Sequence, residues 1–177
     1  SLGLIFEKPS TRTRISFEVG MNQMGGSSFN IAPGEIQPGK RESVKDIART
    51  LARYLNCVVL RTYSHSLIVE FDAYCSVPVI NGLSDQAHPC QALADYFTIK
   101  ENYSDLSGVK VAYVGDHNNV LRSLIILFAR LGVHFSVATP QQYSPEPALL
   151  DQASTFCKQS GGTLVVGNAP DAAVADA

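Results

Sequence analysis

Long apolar runs are missing from this sequence. None approaches the ~18 consecutive apolar residues that a membrane-spanning helix requires, so no helix of that kind is expected. An excess of one charge is missing too: 14 Lys and Arg against 16 Asp and Glu leave a net −2. That balance gives no general electrostatic reason to expect nucleic acid or an anionic membrane as a partner. Any basic site must be local. Paired cysteines are also absent. Cys57, Cys75, Cys90 and Cys157 form no C-x-x-C pair, and three lie in or beside apolar runs. The expectation is reduced, mostly buried thiols in a reducing compartment, not a disulfide framework. The chain shows no fixed-period repeat, no low-complexity segment and no G-x-x-x-x-G-K-[ST] phosphate loop. No signal peptide is read at its start, where the true N-terminus is expected to be missing.

What is present is ordinary core-forming material. Apolar residues make up 45% and charged residues 17% of 177 residues, enough for one domain or two small ones. Strand-like and helix-like segments alternate. "LGLIF" reads as a strand, Thr11 to about Met24 as a helix ending at Gly25-Gly26, "SSFNIA" as a strand and "PGEIQPGKRE" as a loop. Ser43–Asn56 has apolar residues at helical spacing, "CVVLR" is a buried strand, Leu67–Tyr74 a short helix and "VPVIN" a strand. A longer helix is predicted from His88-Pro89 to about Tyr103. After "SDLSG" come strand "VKVAYVG", a helix over Asn119–Leu131, strand "HFSVAT", a helix over "PEPALLDQASTFCKQSGG", strand "TLVVG" and the start of one more helix.

Such alternation predicts parallel sheets covered by helices. The expected fold is α/β, with two parallel-sheet domains joined by a long helix. The boundary is placed at the Ser104–Gly108 break, giving residues 1–103 and 104–177. The chain opens on a strand already under way, and only three strands follow the break, which is thin for a doubly wound domain. It is therefore expected to be a fragment of something longer.

The stretch "PSTRTR", Pro9–Arg14, stands where a strand gives way to a helix. The first backbone N–H groups of a helix lack internal partners and carry the positive end of its dipole. A phosphate could accept those N–H bonds, the hydroxyls of Ser10, Thr11 and Thr13, and a charge-assisted fork from Arg12. Simple N-capping, or a solvated basic face of Lys8, Arg12 and Arg14, explains the same residues without a ligand.

Other residues invite the same weighing. Arg61 ends the strand "CVVLR", and ligands of open α/β sheets collect beyond strand carboxyl ends; a strand-end arginine in water is the alternative. In "SDQAHPCQALAD", Pro89 suits the first helical position, which puts His88 at the cap and Gln91 on the first turn. An imidazole and a carboxamide there could polarise a carbonyl oxygen and hold an amide NH₂, or His88 could merely cap. His88 with Cys90 lacks the further ligands a metal needs. "VAYVGDHNN" lacks the second and third glycines of a dinucleotide fingerprint. Asn118 and Asn119 there could face a substrate or cap a helix.

Together these residues resemble the aspartate/ornithine carbamoyltransferase family, in its ornithine-type branch. "STRTR" is similar to that family's carbamoyl phosphate signature, "HPCQ" to the ornithine-type version of its second motif, and "GDHNN" to the entry into its second domain. The resemblance runs from about Leu4 to about Gly167. It implies carbamoyl transfer from carbamoyl phosphate to the δ-amino group of L-ornithine, giving L-citrulline and phosphate. It further implies that Ser10, Thr11, Arg12, Thr13, Gln37, Arg61, His88 and Gln91 bind carbamoyl phosphate, that Arg61 and His88 act on the carbonyl, and that Asn119 contacts ornithine.

No metal or organic cofactor is implied. The partners implied are the two substrates, with no nucleic acid or membrane, in a homotrimer or multiple of trimers whose sites are shared between subunits through Gln37. The cytoplasm is the expected compartment; a mitochondrial form stripped of its presequence would read the same. Family members also carry a helical segment before "FEKPSTRTR" and, beyond the position of Ala177, an Asp, a Ser-Met-Gly loop and an H-C-L-P motif. Arg122 stands where relatives often have a smaller residue or His. Two readings stay open beside this one: a carbamoyltransferase for aspartate, putrescine or an acylated ornithine, and a non-catalytic anion-binding module.

Overall fold

The computed structural model describes residues 1–36, 42–103, 106 and 108–177. The chain divides into two compact units, Ser1–Ala87 and His88–Ala177. The first contains β1 (Leu2–Phe6), α1 (Thr11–Gln23), β2 (Ser28–Ile31), α2 (Pro33–Ile36), α3 (Val44–Leu51), β3 (Cys57–Arg61), α4 (His65–Tyr74) and β4 (Val79–Leu83). Its four strands are all parallel, in the order β2-β1-β3-β4.

Because side chains alternate across a strand, each central strand feeds both faces of this sheet. Leu2, Leu4 and Phe6 of β1 join Val59 of β3 on one face, where Phe17 and Met21 of α1 cover them. Ile5, Val58 and Leu60 point the other way and meet Val44, Ile47 and Ala48 of α3 with Ile68 and Phe71 of α4. On α3 those three buried positions follow helical spacing, while Lys45 and Arg49 stay outside, each near the Tyr74 ring at 5.6 and 5.9 Å. The segment expected to be a loop begins with a single helical turn, Pro33–Ile36. Proline at a first helical position is favourable, and a turn that short leaves no periodicity to read.

The second unit contains α5 (Pro89–Asn102), β5 (Lys110–Val114), α6 (Asn119–Leu131), β6 (His134–Ala138), α7 (Pro147–Ser160), β7 (Thr163–Gly167) and α8 (Pro170–Val174), with a 3-10 turn at Gln141–Tyr143. Its sheet is parallel in the order β5-β6-β7. Leu121, Leu124, Ile125, Phe128 and Ala129 of α6 form the centre of the core with Leu149 and Ala153 of α7 and Ala92 of α5. The Phe128 and Phe135 rings meet edge to face, 4.9 Å apart and inclined at 80°.

Two glycines let the far ends of this unit close. Gly132 ends α6 with φ +75, a conformation that costs other L residues strain. A Cβ on Gly162 would lie 2.9 Å from backbone atoms of Gly132 and Val133, so the α6–β6 and α7–β7 turns touch backbone to backbone. Among the described residues, no helix is long and apolar enough to cross a membrane.

Candidate active site

In the first unit, the residues with anion chemistry gather at the carboxyl edge of the sheet. Ser10 is the N-cap of α1, with extended backbone, and its Oγ accepts the Thr13 N–H at 3.4 Å. That bond is long and so weak. The first turn of α1 carries no acidic residue, whereas α3 has Asp46 in its first turn. The positive pole of α1 is thus not neutralised by its own sequence. Thr11 and Arg12 are exposed and Thr13 is half-buried. A concavity of about 260 Å³ opens beside this turn, lined by Phe6, Pro9, Ser10, Thr11, Arg14, Asn30 and Ala32. Ser10 and Thr11 line it and Arg12 and Thr13 do not. Arg14 does, and it pairs with Glu18 one turn on at 3.8 Å.

Arg61 lies on the neighbouring strand end. In the parallel register it stands opposite Phe6, and its carbonyl accepts the Glu7 N–H at 2.8 Å. The loops that follow these strands are clasped together. Glu7 Oε2 accepts the Tyr63 N–H at 3.0 Å, and Lys8 Nζ lies 4.6 Å from the Tyr63 ring centre. Ser10–Thr13 and Arg61 therefore occupy adjacent positions along one edge. Gln37 lies outside the described residues.

In the second unit the N-termini of α5 and α6 also lack an acidic first turn, as does that of α7, whose cap residue is itself Glu146. His88 caps α5: its Nδ1 accepts the Gln91 N–H at 3.3 Å. A neutral imidazole that accepts at Nδ1 carries its proton on Nε2, so the outer nitrogen is a donor. Gln91 Nε2 donates to Asp95 Oδ1 at 2.8 Å, which makes Oε1 the atom suited to accept from a ligand NH₂. The His88 N–H donates to Ser123 Oγ at 2.9 Å, and that hydroxyl donates to the Asn119 carbonyl at 2.9 Å. One short relay thus joins the N-termini of α5 and α6.

The two asparagines divide their labour. Asn118 is the cap: its Oδ1 accepts from Val120 and Leu121 N–H at 2.9 and 3.1 Å, and its Nδ2 donates to Tyr113 Oη and Asp116 Oδ1. Asn119 is the first helical residue and half-buried. Burial pushes the Tyr113 hydroxyl above its ordinary pKa; the Asn118 bond opposes this and the Asp116 charge adds to it. Arg122, unexplained from sequence, pairs through Nη1 with Glu146 Oε2 at 3.3 Å, and His117 Nε2 lies 3.7 Å from the same oxygen. Among the described residues, no group of three or more His, Cys, Asp or Glu could hold a metal ion. Sequence reasoning missed Glu7, Ser123, Glu146 and His65, all of which act through partners distant in the chain.

The family model for the aspartate/ornithine carbamoyltransferase carbamoyl-P binding domain matches residues 1–101, and that for the Asp/Orn binding domain matches residues 107–177. The chain belongs to the aspartate/ornithine carbamoyltransferase family. Within this carbamoyltransferase family, an ornithine carbamoyltransferase of Methanoculleus marisnigri is 50% identical over all 177 residues, which span 56% of the relative. The solved ornithine carbamoyltransferase of Pyrococcus furiosus superposes with a TM-score of 0.95 at 46% identity, covering 99% of this chain and 56% of that one. A solved N-acetyl-L-ornithine transcarbamylase matches with a TM-score of 0.84 at 28% identity, over 98% of this chain and 61% of the other. The chain thus spans little more than half the length of these carbamoyltransferases.

Proposed function

We propose that the protein containing this chain transfers the carbamoyl group of carbamoyl phosphate to the δ-amine of L-ornithine, giving L-citrulline and phosphate. Residues 1–103 form the carbamoyl phosphate domain and residues 104–177 part of the amino-acid domain. Ser10, Thr11, Arg12 and Thr13 hold the phosphate at the N-terminus of α1, where hydroxyls, backbone N–H groups and a guanidinium suit a dianion. Arg61 and His88 donate to the carbonyl oxygen as it becomes an oxyanion, each donor contributing roughly 3–4 kcal/mol in comparable sites. Gln91 accepts from the carbamoyl NH₂, and Asn119 orients the incoming amine.

The step is a displacement at the carbonyl carbon. The neutral amine forms the new N–C bond, the C–O bond of the mixed anhydride breaks, and the departing phosphate accepts the amine's proton. An alkyl amine is mostly protonated at neutral pH, with a pKa near ~10.4, so the neutral form must be supplied by proton transfer. No metal or organic cofactor enters this balance. The reading extends to a homotrimer or multiple of trimers with sites shared between subunits, working in the cytoplasm.

The observation that supports this reading best is the His88 cap. Its Nδ1 accepts the Gln91 N–H, and a neutral ring bonded in that way carries its proton on the outer nitrogen, a donor of the kind an oxyanion needs. The test is product formation by the full-length protein with carbamoyl phosphate and a panel of ornithine, N-acetylornithine, putrescine and aspartate. Citrulline from ornithine at the highest kcat/KM is the expected result. Preference for another amine would correct the acceptor, and transfer to none would overturn the function. Heat on titrating this chain alone with carbamoyl phosphate would separately test the Ser10–Thr13 cradle.

A further inference from the structure

The turn that precedes His88 is held from an unexpected direction. Ser84 is fully buried, and its N–H donates to the Ala87 carbonyl at 2.9 Å, closing the turn Ser84–Ala87. Its Oγ accepts from the Ala87 N–H at 3.2 Å and from Asn81 Nδ2 at 3.4 Å. Two further groups face the same hydroxyl. His65 Nδ1 lies 2.9 Å away, nearer than the Ala87 carbonyl at 3.5 Å. The His65 backbone N–H donates to Asp85 Oδ1 at 2.7 Å. So one residue at the first position of α4 grips two consecutive residues of the β4–α5 turn, through its ring and through its main chain.

His65 is itself fixed to the Arg61 strand end. Thr62, fully buried, donates its N–H to the Leu83 carbonyl at 2.9 Å and its hydroxyl to the Ser64 carbonyl at 2.8 Å. The path from Arg61 to His65 is therefore four peptide links long and is bonded through Thr62 and His65 to the path from Leu83 to Ala87.

We propose that His65 is a positioning residue for carbamoyl transfer: its ring Nδ1, hydrogen-bonded to the Ser84 hydroxyl, locks the turn leading into His88 to the strand end that carries Arg61. This rests on the reading that Arg61 and His88 act on the carbamoyl group. A brace of this kind acts on orientation and not on affinity, because His65 itself touches neither phosphate nor amine. Small misplacements of reacting groups lower turnover steeply, about 10²-fold for 1 Å.

The Nδ1 position supplies the test. Asparagine puts its side-chain amide where Nδ1 of histidine lies, whereas glutamine puts its amide where Nε2 lies. The full-length protein is compared with its His65→Asn and His65→Gln variants for kcat, for KM of carbamoyl phosphate and for melting temperature. The brace predicts that His65→Asn keeps kcat within about threefold while His65→Gln loses about tenfold to a hundredfold, with KM little changed in both. Equal kcat in the two variants, or a loss confined to KM, would overturn it. A fall in kcat that merely follows a fall in melting temperature would overturn it as well.

Hydrogen exchange at the Ala87 and His65 amides gives a readout independent of activity. Faster exchange in His65→Gln but not in His65→Asn supports the lock, and unchanged exchange in both removes it. If the unaltered protein transfers no carbamoyl group, the proposed function fails while the exchange comparison still judges the brace.

Discussion

Replacing His88 by asparagine separates two roles that one side chain combines. His88 caps α5 through Nδ1, which accepts the Gln91 N–H at 3.3 Å. Asparagine is among the best N-cap residues, and its Oδ1 can accept the same N–H, so the cap survives. Alanine has no acceptor, and losing a cap costs about 1 kcal/mol. What asparagine cannot supply is the outer donor, since the shorter side chain ends where the Nδ1 edge of the ring was. If that donor faces the developing oxyanion, removing it costs about 10²–10³ in kcat, or roughly 3–4 kcal/mol. The expected pattern is a large fall in citrulline formation by full-length His88→Asn, with the melting temperature held and the affinity for carbamoyl phosphate little changed. His88→Ala should show the same fall in turnover together with a modest loss of stability. Turnover by His88→Asn within a few-fold of the unaltered protein would refute the reasoning and leave His88 as a cap alone.

Three further outcomes are expected. Arg12→Ala should remove carbamoyl phosphate binding detectable by calorimetry, because the phosphate loses its charge-assisted fork; unchanged affinity would sink the phosphate assignment. Gly162→Ala should destabilise the protein by about 1–3 kcal/mol in denaturant unfolding, since the new methyl would meet three backbone atoms of Gly132 and Val133 at 2.9 Å; a change below the error of the fit would show that the two turns can part. The raised pKa of Tyr113 means that the unfolded chain releases this proton first as pH rises. Tyr113 therefore contributes fully below pH ~10 and loses its contribution above it, so Tyr113→Phe should flatten that part of the alkaline stability curve, and a curve of unchanged slope would contradict the assignment.

Much of the fold was legible because parallel strands buried on both faces leave apolar runs that stand out. "LGLIF" and "CVVLR" are read directly, and the strands β1 and β3 occupy them. The helix over Asn119–Leu131 is bracketed by an asparagine cap and a left-handed glycine, both local signals, and it has those limits. Where local signals run out, so does the reading. Helix α3 stops at Leu51 although apolar spacing continues to Leu55, because the chain turns at Arg53 and Tyr54 and still buries Leu55.

The candidate site divides along the same line. Ser10, His88 and Asn118 are caps that a short window reveals. Arg122 was opaque because its partner, Glu146, lies 24 residues away. His65 was invisible because its partner Ser84 belongs to another strand's turn, 19 residues on. Pairings of that kind exist only once the sheet has set the strand order.

That Ser10, His88 and Asn118 all close the first turn of a helix narrows what evolution can do with them. A substitution at such a place is screened twice, once by the helix it begins and once by whatever it faces. Aspartate at position 10 would satisfy α1 yet repel a phosphate; asparagine at position 88 would satisfy α5 yet abandon an oxyanion. Under the proposed function, a replacement at position 10 or 88 would therefore have to meet two demands at once, whereas one on an exposed helix face meets neither.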